Sequence, residues 1–309
     1  MSDIESDLHR RDFTINTLAI RLDGEHYGEL LNVCNGLQDL RKGLIRTLHN
    51  RSFIDDPTRL FRAVRFEQRL DFDLESDTLR QFREQSYGVA LLTGQRIWHE
   101  LKLYCDEPNP EDDFARITQY GIAEKIHEKL VWNNSIEAEC IRFRETIPDD
   151  FWQDHCEIDF ELVEAEGLLW IWISTLPLFA ITEISERLLL PKKSLICIES
   201  LAALREQFPE LSHNAPSEIT FFLEKLPIET LYCYAMFCSE DEKQALKNFI
   251  EIWQKIHPIT TGSELLEMGM KPGPEMKNLL LLLRAETIDA GLQPEDEAEW
   301  IKSCLARGL

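Results

Sequence analysis

The chain has no run long and apolar enough for a membrane span. Its longest uncharged stretch, Gly167 to Thr182, is interrupted by Pro177 and falls short of the ~20 apolar residues that a bilayer crossing needs. The N-terminus, Met1-Ser2-Asp3-Ile4-Glu5, is acidic and polar where a secretory leader is basic and then apolar, which predicts a cytoplasmic protein. The eight cysteines at 34, 105, 140, 156, 197, 233, 238 and 304 include no Cys-x-x-Cys pair and have no histidine pair nearby. That spacing excludes a zinc site and a redox pair, and predicts eight reduced, structural thiols. No fixed-period repeat is present, and 13 Gly with 13 Pro is too few for a collagen-like or low-complexity chain.

Positive charge is scarce too. The balance of 33 Lys+Arg against 56 Asp+Glu gives a net charge of −23, which taken alone argues against a nucleic-acid partner. The deficit is uneven. Residues 1–105 carry 15 basic and 17 acidic residues, so nearly all of the excess, −21, belongs to residues 106–309. Within 41–69 the balance reverses, with Arg41, Lys42, Arg46, Arg51, Arg59, Arg62, Arg65 and Arg69 against Asp55, Asp56 and Glu67. An anionic ligand belongs on that island.

What is present suits a soluble globular protein: 309 residues, 44% hydrophobic, enough for two or three domains of ~100–150 residues. From Asp7 to about Arg21 the apolar residues follow a roughly helical rhythm, although Phe13-Thr14-Ile15 also suits a strand. Tyr27 to Val33 and Leu44 to Leu48 are β-compatible and predict two strands of a small sheet, which needs a partner or cover to be stable. After Asp56-Pro57 the pattern predicts helices at 57–70, 76–86, 94–105, 112–130, 135–147, 159–175, 179–189, 194–207, 216–224, 227–236, 240–255, 262–268, 273–290 and 294–306. Prolines such as Pro108, Pro148, Pro191 and Pro258 fall between them.

At 100° per residue, Arg59, Arg62, Arg65 and Arg69 share an arc of about 120° on the 57–70 helix. That spacing is compatible with a solvated face paired to acidic neighbours. Asp55 and Asp56, just before the helix, suit simple N-capping. A carboxylate beside a guanidinium also offers the acceptor and donor that a base edge requires. Spacing does not choose between these readings.

The wording of four segments does choose. Asp7-Leu8-His9-Arg10-Arg11-Asp12-Phe13-Thr14-Ile15-Asn16 resembles the Arg-Arg-Asp motif of the class II tRNA nucleotidyltransferase and poly(A) polymerase family. Gly36 to Leu48 is similar to that family's helix-turn-strand element ahead of the neck. Phe53-Ile54-Asp55-Asp56-Pro57-Thr58-Arg59-Leu60-Phe61-Arg62-Ala63-Val64-Arg65-Phe66 resembles its base-reading Glu-Asp-x-x-Arg-x-x-Arg motif, with Asp55 in place of the usual Glu. Thr93-Gly94-Gln95-Arg96-Ile97-Trp98-His99-Glu100-Leu101 is similar to the neck motif that follows. Thr261 to Pro274 resembles a tail element of bacterial members, and Leu48-His49-Asn50 with Phe66 to Leu70 resembles the long forms that carry CBS and DHH domains, several of which add only the terminal A of tRNA.

The resemblance implies a mostly α fold: an incomplete α/β nucleotidyltransferase head remnant at 1–50, a neck with the base-reading helix at 51–105, a helical body at 106–225 and a helical, RNA-binding tail at 226–309. It also implies roles. Asp56 and Arg59 read the base edge of the incoming nucleotide, and Arg62 supports them or contacts phosphate. Arg11 and Asp12 hold triphosphate and ribose, and Asn16 braces them. In the tail, Lys271 and Lys277 flank Pro272-Gly273-Pro274, which opens a helix with free amides suited to an RNA phosphate; tight packing of a buried helix is the competing reading.

The family's Asp-x-Asp carboxylates, which hold two Mg2+ ions, lie upstream of the Arg-Arg-Asp motif, which here begins at residue 10. Asp71-Phe72-Asp73 follows the arginine helix, has no preceding Gly-rich turn and reads as a helix-ending loop. The expectation is therefore one part of an enzyme that adds AMP, with CMP an open alternative, from ATP or CTP to the 3′ end of tRNA. The missing head is supplied in cis or in trans, no membrane is involved, and this chain alone is inactive. The competing readings are a non-catalytic RNA-binding derivative, a poly(A) polymerase acting on other RNAs and an acidic protein-interaction scaffold.

Overall fold

A computed structural model describes residues 4–147 and 150–307. The expected break at Pro148 and the start of the acidic N-terminus lie outside them. In chain order the elements are α1 (Ile4–Leu8), β1 (Leu18–Ile20), β2 (Leu30–Asn32), α2 (Gly36–Lys42), β3 (Leu44–Ile45), α3 (Ser52–Asp55), α4 (Thr58–Leu70), β4 (Asp73–Leu74), α5 (Ser76–Gln85), α6 (Gly94–Cys105), α7 (Pro110–Gln119), α8 (Ile122–Ile126), α9 (Asn134–Glu145), α10 (Asp150–His155), α11 (Phe160–Ile173), α12 (Leu178–Leu188), α13 (Lys192–Leu211), α14 (Pro216–Leu223), α15 (Ile228–Ala235), α16 (Glu240–Glu251), α17 (Gly262–Glu267), α18 (Pro274–Ala290) and α19 (Glu297–Ala306). The fold is mostly α. Among the described residues no helix is long and apolar enough to cross a membrane.

Contacts divide the chain into two compact units, Met1–Ile141 with Glu161–Ile198, and Arg142–Phe160 with Glu199–Leu309. In the first, the apolar face of α4 (Leu60, Phe61, Val64) packs on α6, whose Ile97, Leu101 and Tyr104 are buried with it. The Tyr104 hydroxyl donates to the Phe61 carbonyl at 3.0 Å. An aromatic chain continues inward through Phe114, Trp132 and Trp172, with ring centroids 5.1–5.7 Å apart. In the second unit, Leu265, Leu279, Leu283, Ile301 and Cys304 form the core under α17, α18 and α19. Capping boxes at Ser239/Glu242 and Thr261/Glu264 start α16 and α17.

The N-terminal segment departs from its helical rhythm. α1 ends at Leu8, a short 3-10 turn covers Thr14–Thr17, and β1 follows. Long-range bonds override local periodicity here: the Thr14 amide donates to the Arg46 carbonyl at 2.9 Å and its hydroxyl to Asp39 at 2.7 Å, while Phe13 bridges Thr47. The two expected strands do not pair with each other either. β2 pairs antiparallel with β1, and β3 pairs parallel with β4, Ile45 opposite Leu74. The helix α2 intervenes, and its first residue has no room for a side chain, since a Cβ on Gly36 would stand 2.2 Å from the Thr14 carbonyl oxygen.

Other expected spans need correction. Residues 112–130 form two helices, because Gly121 takes φ +71° between α7 and α8. α13 continues to Leu211 past Pro209, and the 240–255 and 294–306 spans each include a short 3-10 turn. Asp71 ends α4 in the left-handed conformation, as a helix-ending loop requires, but Asp73 then opens β4. The eight cysteines form no disulfide, and Cys140, Cys197, Cys233 and Cys304 are buried.

Candidate functional site

The start of α4 lies against the N-terminal segment. Asp56 Oδ1 accepts from the Thr58 amide at 3.2 Å and the Thr58 hydroxyl at 2.8 Å, which ties the carboxylate to the first turn. It also accepts from Arg96 Nη2 of α6 at 2.7 Å. Burial pushes the Asp56 carboxyl up, but the Thr58 hydrogen bonds and the Arg96 charge outweigh it and hold the group below the usual aspartate range. One turn along, Arg59 donates to the Ser52 hydroxyl at 2.6 Å and to the Arg10 carbonyl at 3.0 Å, which leaves three of its five donors available.

Arg62 reaches the other wall. Its Nε and Nη2 both donate to Asp12 Oδ2, the former at 2.7 Å, and its guanidinium lies 5.6 Å from the Phe66 ring centroid. Asp12 is buried, and its Oδ1 accepts from Asn16 Nδ2 at 2.8 Å and from the Phe13 amide at 2.9 Å. Two donors on each oxygen fill the carboxylate, so any further donor must displace Arg62 or Asn16. Arg11 is half exposed and paired with Asp7 at 3.0 Å.

These side chains surround one open cleft of about 410 Å³ lined by Arg11, Asp12, Asn16, Asp56, Arg59, Arg62 and Phe66. The first six are those singled out in the sequence. Phe66 and Arg96 were not, although each lies inside a quoted motif: Phe66 is one turn beyond Arg62, and Arg96 is the third residue after Thr93. Asp55 points away, exposed and 3.5 Å from Arg51. Lys271 and Lys277 are exposed in the second unit on either side of Pro274, where α18 begins.

The arginine face is not uniform. Arg69 binds both oxygens of Glu107, with Nε at 2.7 Å, and Arg65 Nε lies 3.6 Å from the same carboxylate, which is almost fully buried. Beside them, burial and the Glu107 charge push the Asp113 carboxyl up to about 8. The cationic cleft therefore ends at Arg62. No group of three or more His, Cys, Asp or Glu able to hold a metal ion occurs among the described residues. The two carboxylates of the cleft, Asp12 and Asp56, are both engaged by guanidinium donors, so these residues do not fit a two-ion centre.

Residues 1–46 match the poly(A) polymerase head domain family. The chain is 31% identical over 304 residues to an A-adding tRNA nucleotidyltransferase of Halalkalibacterium halodurans, covering 96% of this chain and 67% of that protein. It is 30% identical to an A-adding tRNA nucleotidyltransferase of Geobacter sulfurreducens over 90% of this chain, but spans only 33% of that longer protein. Among solved structures, a CCA-adding enzyme in complex with ATP superposes with a TM-score of 0.75 at 26% identity, covering 98% of this chain and 73% of that one. The Thermotoga maritima CCA-adding enzyme complexed with tRNA gives a TM-score of 0.70 at 26% identity over 98% and 74%. Sequence likeness across nearly the whole chain, together with this likeness of fold, shows that the chain belongs to the tRNA nucleotidyltransferase and poly(A) polymerase family.

Proposed function

We propose that this chain selects the incoming nucleotide and holds the RNA for template-independent addition of AMP, with CMP as the alternative, to the 3′ end of tRNA in the cytoplasm. The observation that carries the reading is the meeting of Asp56, Arg59, Arg62, Arg11 and Asp12 at one cleft, from segments some 50 residues apart in sequence. Adenine and cytosine each present an amine donor next to a ring-nitrogen acceptor. Asp56 supplies the acceptor for the amine and Arg59 the donor for the ring nitrogen, whereas guanine and uracil reverse both partners. Arg11 and Arg62 serve the triphosphate through charge-assisted bonds, and Asn16 braces Asp12. Because Arg62 fills Asp12 Oδ2 in the free protein, a triphosphate that draws Arg62 away leaves that oxygen open to a ribose hydroxyl.

Asp12 and Asp56 being taken up by guanidinium donors, Mg2+ in the working enzyme would be held by carboxylates of a head segment supplied in cis or in trans. Ions so held would supply the activation of the attacking 3′-hydroxyl, while the arginines of the cleft bind and orient the nucleotide. Lys271 and Lys277 give the otherwise acidic tail a local phosphate contact.

The test has two arms. The purified 309-residue chain is expected to bind ATP and CTP yet to incorporate no labelled AMP into tRNA ending in CC, with incorporation appearing once a polypeptide bearing the family's Asp-x-Asp head is joined or added. Robust Mg2+-dependent incorporation by this chain alone contradicts the division of labour, and failure to bind either nucleotide contradicts the reading of the cleft.

A further inference from the structure

We propose that Arg96 is a positioning residue for nucleotide selection, one that fixes the Asp56 carboxylate while itself remaining outside the cleft wall. The inference rests on the nucleotide reading of the cleft and adds a residue to it. Three donors converge on Asp56 Oδ1: the Thr58 amide, the Thr58 hydroxyl and Arg96 Nη2. Among the described residues Oδ2 accepts none, and that is the oxygen left for the amine of a base. The Thr58 bonds come from two residues along the chain and follow the turn wherever it goes. Arg96 comes from α6, 40 residues later, and anchors the carboxylate to a different element. The terminal torsion of an aspartate is broad, so without this anchor the Thr58 bonds alone set the plane of the carboxylate, and that plane swings with the turn.

Arg96 can anchor because its own backbone is fixed from two sides. A Cβ on Gly94 would stand 2.3 Å from the Arg187 carbonyl oxygen and 2.5 Å from the Leu188 carbonyl carbon, so the first turn of α6 sits directly on the end of α12. Arg187 locks that contact by donating to the carbonyls of Leu92 at 3.1 Å and Val89 at 3.0 Å. In the same segment a Cβ on Gly88 would come within 2.9 Å of Pro57, the neighbour of Asp56. One short stretch, residues 88–96, thus both packs on Pro57 and supplies the anchor for the carboxylate beside it. Arg96 is itself half exposed, and its loss leaves the packed glycines and Arg187 in place.

The experiment compares the full chain with Arg96→Ala and Arg96→Lys in equilibrium binding of ATP and of GTP, alongside carbon-detected NMR titration of the Asp56 carboxyl without nucleotide. Asp56 is faced by Arg59 and Arg62 of α4, by Arg11 and Asp12, and by Arg96 and Glu100 of α6, so the titration reads the loss of one cation among several. Arg96→Ala is expected to lower the ATP-over-GTP ratio by about tenfold, the scale of one charged hydrogen bond, and to raise the Asp56 midpoint with little change in melting temperature. Arg96→Lys, which keeps the charge without the planar fork, is expected to restore the midpoint and part of the ratio. An unchanged ratio in Arg96→Ala overturns the inference, as does a lost ratio with an unmoved Asp56 midpoint. An unsubstituted chain that binds neither nucleotide overturns the cleft reading and this inference with it, an outcome distinct from normal ATP binding that Arg96→Ala leaves intact.

Discussion

Arg59 and Arg62 at the start of α4 line an open cleft, whereas Arg65 and Arg69, on the same face one and two turns further along, close on the buried carboxylate of Glu107. Residue type, helix and face are the same for all four. What separates them is the partner each meets: Ser52, a backbone carbonyl and Asp12 for the first pair, a single glutamate for the second. A guanidinium with spare donors beside open space can take a ligand, while the pair gathered around the buried Glu107 carboxylate ties α4 to the loop between α6 and α7.

The largest effect that sharpens this contrast is expected from Glu107→Ala. Removing the carboxylate leaves Arg65 buried without its counterion, a loss of about 3–5 kcal/mol in typical cases, moved toward the lower end as Asp113 ionises in its place. Chemical denaturation is expected to show that loss, with ATP affinity of the folded fraction unchanged; reduced ATP affinity in the folded protein would erase the distinction between the two halves.

Asp113 supplies the next effect. Its carboxyl is held up to about 8 in the fold against an ordinary 3.8. Between those values the native state retains a proton that the unfolded chain has released, so this group makes stability fall as pH rises, by about 1.4 kcal/mol per pH unit at the steepest. Asp113→Asn is expected to remove that slope, giving its greatest advantage over the parent chain near pH 8 and little near pH 4. Parallel stability curves for the two proteins would show that Asp113 is ionised in the fold.

A smaller effect is expected in the tail. Lys271→Glu with Lys277→Glu should weaken tRNA binding and lower the slope of log affinity against log salt by about one per lysine, with ATP binding unaffected. An unchanged salt series would reduce the turn before α18 to packing alone.

Much of the helical scaffold was legible in the sequence because its signals are local. Pro57 marks the entry to α4, and Thr93-Gly94 the start of α6, which spans the expected 94–105. The sheets were not legible. Asp73-Leu74 carries no strand signal of its own and becomes β4 only because Leu44-Ile45 lies beside it. The helical rhythm of 7–21 loses for the same reason, to bonds from Asp39 and Arg46. At the cleft, Arg11, Asp12 and Asn16 could be joined to α4 only through the resemblance of their motifs, since no spacing rule spans the 50 residues between Asp12 and Arg62. The division of the arginine face at Arg62 needed the position of Glu107, and the part played by Arg96 needed that of Asp56, each about 40 residues distant.

The claim that one helix carries both a reading half and a structural half is tested most directly by equilibrium binding of ATP and GTP to the full chain, Arg59→Ala and Arg69→Ala. Arg59→Ala is expected to lose about 1–3 kcal/mol of ATP-over-GTP discrimination, the scale of one good bidentate base contact. Arg69→Ala is expected to keep the ratio of the parent chain. Equal losses in the two variants would mean that the arginines act as undifferentiated charge, and would contradict the assignment of Arg59 to the base.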